Sequence, residues 1–295
     1  MFDYRYHALS LAAVLLALAL GVLIGVAIGD SNLVSSAKNG IVRNLDSEVG
    51  EARRQNGRLA QRLAQEETFT RSLYPLAVHE LLGRRNIGLV FLGGSSDEVD
   101  SLVHAAVTQA GGTLTTVVAV SEPLELNAIA RAAAGTRYAE LATSPVVLGH
   151  FGELVGRQLV SGGQLVDREL ISRVRGALMS AFDGSLTHLD GIVVGRAQPG
   201  GESAAQAEAT ALFETGLLAG VAAAGEPAVG VELTATSPSQ IPWYKGRRIA
   251  SVDDLDRPAG QAALVYALAG ARGSFGVKTT ADSLLPQLDT GAPAP

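Results

Sequence analysis

Metal and thiol chemistry have little to work with in this chain. It contains no cysteine, and its two methionines are Met1 and Met179. Disulfides, zinc ribbons, iron–sulfur clusters and thiol nucleophiles are therefore excluded. The five histidines, His7, His79, His104, His150 and His188, include no i, i+4 pair, and no HExxH motif occurs. No GxSxG elbow presents a serine nucleophile. Asp253-Asp254-Leu255-Asp256 gathers carboxylates that suit a hard cation. It lacks the glycine and terminal glutamate of a calcium loop, and reads instead as a solvated loop before a helix. Gly93-Gly94-Ser95-Ser96-Asp97 follows an apolar run and opens a helical pattern, where backbone amides can hold an anion. Neither GxGxxG nor GxxxxGKS/T is present. Ser95 and Glu98 have the spacing of a capping box, so capping is the preferred reading. An anion or ligand turn at Gly93, Gly94, Ser95 and Ser96 is the alternative. Pro242-Trp243-Tyr244-Lys245 holds the only tryptophan, either as a partner contact or as a loop packed on a sheet. No nucleophile–base pair or metal constellation can be named. The sequence thus predicts no catalytic residue, no cofactor and no enzyme.

The elements that would position these groups begin with an anchor. Ala8 to Gly29 is a run of 22 residues without a charge. About 20 apolar residues in a helix cross a hydrocarbon core of about 30 Å. Ala27-Ile28-Gly29 has the small-x-small form of a signal cleavage site, but a signal peptide's apolar region is only about 7–15 residues long. An uncleaved span is the expectation. Arg5 and the terminal amine precede it, whereas Asp30 follows it and no cation comes before Lys38. That charge bias predicts residues 1–7 in the cytoplasm and the rest outside. Gly21, Gly25 and Gly29 form two overlapping GxxxG motifs, a flat strip on which two membrane helices can pack.

After a polar linker at residues 30–41, a heptad runs through 42–74. Val42, Leu45, Val49, Ala52, Asn56, Leu59, Leu63 and Glu66 alternate at spacings of 3 and 4, the a and d positions of a coiled coil. Asn56 at an a position specifies register and two strands at a cost in stability. Glu48 with Arg53, and Arg62 with Glu67, are g–e′ pairs that attract in a parallel dimer. Pro75 is expected to end the helix. An amphipathic helix packed on its own domain is the competing reading.

From Arg84 the pattern changes to short apolar runs alternating with helical stretches. Strands are expected at 86–92, 113–120, 190–195 and 228–233. Helices are expected at 95–110, 124–134, 203–224 and 260–268, with two more within 153–179 broken at Gly162-Gly163. Alternation of this kind implies βαβ crossovers and a sheet covered on both faces. The fold class is therefore α/β: a transmembrane helix at 8–29 and a coiled-coil stalk, followed by a Rossmann-like three-layer domain over 84–286 with a mostly parallel sheet. A disordered tail is expected at 287–295. Charged residues are 18% of the chain and the net charge is −6, so no basic face recommends nucleic acid as a partner. The expected partners are the membrane, a second copy in a parallel homodimer, and an envelope protein.

Several motifs carry a resemblance. Tyr6-His7-Ala8-Leu9-Ser10-Leu11-Ala12-Ala13-Val14 runs into Leu20-Gly21-Val22-Leu23-Ile24-Gly25. Ser251-Val252-Asp253-Asp254 is followed by Gly260 and Ala263-Leu264-Val265. Gly273-Ser274-Phe275-Gly276 leads to Leu284-Leu285-Pro286. Together these resemble the MctB-like copper transport family of actinobacteria, related to SteB-type envelope proteins. The resemblance implies an envelope-located, membrane-anchored protein of copper transport, or a tethered partner in cell division or envelope assembly. Copper(I) prefers thiolate and thioether, and copper(II) prefers imidazole. The residues themselves offer a poor relay, so copper as a ligand is implied by resemblance alone.

Overall fold

The computed structural model describes residues 4–29, 31–162, 168–185, 187–197 and 200–287. The chain divides into two units, residues 1–67 and 68–295. Met1, Asp30, Gly163 and the tail beyond Gln287 lie outside the described residues.

In the first unit, α1 (Tyr4–Ile28) is apolar on every side. Among the described residues it is the one helix long and apolar enough to cross a membrane, over Tyr4–Ala27, and none of them buries it. The helix α2 (Ser31–Val78) spans both units. The stretch expected as a linker is helical from Ser31 onward, because it contains no proline and only one glycine, Gly40, before the heptad. Pro75 does not end α2 but lies inside its last turn. Its fixed φ is helical, and only Leu76, Ala77 and Val78 follow it, so little of the helix suffers from the lost N–H.

The second unit is built on a seven-stranded sheet. In chain order it comprises β1 (Asn86–Leu92), α3 (Asp97–Gln109), β2 (Thr113–Val120), α4 (Leu126–Ala132), α5 (Pro145–Ser161), α6 (Arg168–Leu178), β3 (Met179–Gly184), β4 (Gly191–Arg196), α7 (Ala204–Ala223), β5 (Ala228–Val231), α8 (Ile241–Gly246), β6 (Ala250–Val252), α9 (Pro258–Leu268) and β7 (Ser274–Phe275). The strands lie in the order β3-β2-β1-β4-β5-β6-β7. All neighbours run parallel except β2 with β3. The expected strands β1, β2, β4 and β5 are present, and β3, β6 and β7 are additional.

Side chains alternate across a strand, and both faces of this sheet are apolar. Val90, Leu92, Val118, Ile192 and Val194 join a core with residues of α4 to α8. Leu89, Phe91, Ala119, Val193 and Val229 join a second core with α3 and α9. Burial on both sides explains why the central strands read as continuous β-branched runs. The helices α5 and α7 pack backbone to backbone. A Cβ on Gly156 would run into the Leu217 carbonyl, and one on Gly220 into the Glu153 carbonyl.

The two segments of the second unit that carried the resemblance, from Ser251 and from Gly273, meet here. Ser251 Oγ donates to Ser274 Oγ at 2.9 Å across β6 and β7. Asp253 accepts from the Val277 and Lys278 amides at 2.8 and 3.1 Å. A Cβ on Gly260 would overlap the Asp254 carbonyl. Asp253 and Asp254 are fully buried, which corrects the solvated-loop reading. Only Asp256 of that run is exposed, and it accepts from Thr234 N and Oγ1 at 2.7 and 2.8 Å. Neither carboxyl oxygen of Asp254 has a hydrogen-bond partner among the described residues, and burial, aided by the neighbouring Asp253, pushes the carboxyl up to about 6.

Candidate functional site

The Gly93–Ser96 turn leaves β1 at the carboxyl edge of the sheet. There the chain order reverses, because β2 lies on one side of β1 and β4 on the other. Open α/β sheets bind ligands at such a switch point, outside the carboxyl ends of the strands. Gly93 takes φ +92, which a side chain rarely adopts. The helix cap is Ser96 rather than Ser95: the Ser96 side chain accepts from Val99 N at 3.3 Å. The turn therefore caps α3, but the Ser95–Glu98 capping box expected from the spacing does not form, because the residue three after the cap is Val99.

Next to the turn is a crevice of about 340 Å³, lined among others by Phe91, Gly94, Ser96, Arg196, Glu232 and Gln240. Arg196 ends β4. Its Nε donates to Glu214 Oε1 at 2.8 Å and its Nη1 to Gln240 Oε1 at 2.7 Å. Glu214 is wholly buried in α7, so this charge is paired as burial requires. The guanidinium also lies 4.7 Å from the ring centre of Trp243, and Arg247 lies 3.8 Å from the same ring. Trp243 is thus a packed platform between two cations, and the adjacent Tyr244 is fully buried. On the other wall, Glu232 accepts from Lys278 Nζ at 2.6 Å, from Ser239 Oγ at 2.8 Å and from the Gln240 amide. Lys278 Nζ completes its donors on the Leu233 and Thr236 carbonyls at 3.1 and 2.7 Å.

A carboxyl cluster lies against this network. A Cβ on Gly93 would come within 3.1 Å of Glu122 Oε2. Both oxygens of Glu122, both of Glu202 and Oε2 of Glu214 have no hydrogen-bond partner among the described residues. Ionised carboxylates only accept, so they cannot satisfy one another. A proton on Glu122 changes that, because it can bridge to Glu214. Burial pushes Glu122 up to about 8, with the Glu214 charge adding to the rise and Arg196 opposing it. Glu214 is raised as well, since burial outweighs its pairing with Arg196.

The sequence singled out the turn and Trp243, but not Arg196, Glu122, Glu202, Glu214 or Lys278. The one readable signal was arginine directly after the apolar Gly191–Gly195 run, at the strand end where a switch point would lie.

The residues expected to dimerise lie in the first unit. Gly21 and Gly25 have nothing within 4 Å of an added Cβ, and Gly29 would meet the Gly25 carbonyl at 3.0 Å. Leu45, Val49, Leu59 and Leu63 are 45–60% exposed, and Asn56 is exposed. The side chain of Val42 falls outside the described set. Among the described residues, no group of three or more His, Asp or Glu is placed to hold a metal ion. His188 lies 3.8 Å from Glu226 and 4.0 Å from Asp190, and no second imidazole joins them.

Comparison with known proteins covers both units. The profile of the family described as "Copper transport outer membrane protein, MctB" matches residues 1–286. The copper transporter MctB of Mycobacterium tuberculosis H37Rv is 24% identical over 290 residues, 91% of this chain and 92% of that protein. The copper transporter MctB of Mycobacterium leprae is 30% identical over 122 residues, 41% of this chain and 38% of that protein.

Proposed function

The chain belongs to the MctB family of copper transport proteins, and on that premise we propose that it serves copper transport as a single-pass protein of the cell membrane. In this reading α1 is the span, the α/β unit is Rossmann-like and extracytoplasmic, and α2 joins two copies as a parallel coiled coil. The observation that carries it is the family match through residues 1–286, which takes in the apolar helix and the α/β unit together. The charge bias around α1 supports the orientation, with Arg5 in its first turn and Asp30 after its end. Four apolar a and d residues exposed along one chain support the dimer, since a second copy would bury them. Copper is cargo handled by a partner: the chain has no thiolate and only two thioethers to offer it.

Deletion with paired readouts tests this. Loss of copper tolerance, restored by the full chain, supports it, and unchanged tolerance contradicts it. Cell fractionation decides the membrane, and protease protection of the α/β unit decides the side. A second reading, an envelope scaffold that binds proteins without serving copper, is favoured by the same donor inventory and the exposed stalk face. It predicts altered cell shape with copper tolerance intact.

A further inference from the structure

Gly94 has no internal reason to be glycine. Among the described residues nothing lies within 4 Å of an added Cβ, and its φ is outside the left-handed region. Glycine there costs backbone entropy on folding, and no packing contact among the described residues offsets it. It lines the crevice at the β1/β4 switch point, so what its missing side chain provides is room on the crevice wall.

The polar groups of that crevice are one-sided. Glu232, the carboxylate on its wall, already accepts from Lys278, Ser239 and the Gln240 amide, and its charge is paired with Lys278. Arg196 commits Nε and one Nη1 hydrogen, and no described acceptor takes its other Nη donors. Ser96, Thr236 and Ser237, each with a hydroxyl, line the same space. The floor is apolar, formed by Phe91, Val99, Val231 and Leu233. The first turn of α3 carries Asp97, Glu98 and Asp100, so the anchor for an anion is Arg196 and not the helix end. A volume of about 340 Å³ falls in the range of small-molecule sites, about 300–1,000 Å³.

We propose that this crevice binds a small organic oxyanion, a carboxylate or phosphate carried on a compact apolar body. The oxyanion meets the Arg196 guanidinium and the hydroxyls, and the body lies over Phe91 and Val231 beside Gly94. The site is separate from copper handling, and its test is independent of copper.

The test uses the full chain in lipid nanodiscs and three probes: phenyl phosphate, inorganic phosphate and phenol, each titrated by calorimetry. Phenyl phosphate is expected to saturate one site per chain. Inorganic phosphate, which lacks the apolar body, should bind at least about tenfold more weakly, a difference of about 1.4 kcal/mol. Gly94→Leu should weaken phenyl phosphate at least about tenfold, about 1.4 kcal/mol, while leaving the unfolding midpoint in place. Arg196→Lys should weaken it while retaining the charge, because the planar fork is lost. Failure of phenyl phosphate to saturate, or unchanged binding by a folded Gly94→Leu variant, would overturn the site. Phenol binding as tightly as phenyl phosphate would overturn the oxyanion assignment.

Discussion

Glu122→Gln should stabilise the protein, and only at higher pH. In the folded chain Glu122 is pushed up to about 8 from an ordinary 4.5 by burial and by the Glu214 charge. Below pH 4.5 the carboxyl is protonated in both the folded and unfolded states and costs nothing. Between 4.5 and 8 the folded state holds a proton that the unfolded chain releases, so stability falls as pH rises through this window. Above about 8 the full penalty is present. At about 1.4 kcal/mol per pKa unit, the rise would be worth about 5 kcal/mol for a carboxyl sealed from water. Glu122 is only part-buried, and solvent screening reduces the expected penalty to about 2 kcal/mol. Glutamine is neutral throughout and still bonds to Glu214. The assay is thermal unfolding of wild type and variant from pH 5 to pH 9. The variant should gain about 4–8 °C at pH 9, at about 2–4 °C per kcal/mol for a unit of this size, and the two should converge toward pH 5. Parallel curves, or a variant less stable at pH 9, would refute the assignment of a buried proton to this cluster.

Other perturbations test other parts. Lys278→Met leaves Glu232 buried without its cation, and should destabilise by about 3–5 kcal/mol in chemical denaturation. A double variant with Glu232→Gln should recover part of that loss. Gly156→Ala drives a methyl into the Leu217 carbonyl, and should cost about 1–3 kcal/mol as the α5–α7 pair separates. Asn56→Leu removes the polar a position; by sedimentation it should broaden or change the association state of the micelle-held chain. Monomers for both proteins would remove the coiled coil.

Legibility tracked how local each cause was. β1, β4 and β5 could be read because each is buried on both faces, so almost every residue is apolar, and β2 because its threonines and valines form a β-branched run. β6 and β7 have three and two residues, too few to show a period. β3 follows α6 without a break and alternates weakly on an edge, so Met179 read as the end of a helix. Asp253 and Asp254 looked solvated because a run of carboxylates usually is. Their burial depends on amides at 277 and 278 and on glycines at 260 and 276, all set by tertiary pairing of β6 with β7. Glu214 sits with Glu208 in an alanine-rich helix, where acids ordinarily mark a solvent face. Only the arrival of Arg196 from β4 makes it a core residue. The turn at Gly93 was visible because glycine doublets and cap residues act within a few positions.

The central claim is that this member of a copper transport family serves copper without holding it. Calorimetric titration of the purified full chain in nanodiscs with copper(I) and copper(II) tests it most directly. The account predicts no stoichiometric binding at a Kd below about 1 μM, about −8 kcal/mol. One or more equivalents bound at that affinity, retained after removal of any affinity tag, would contradict it.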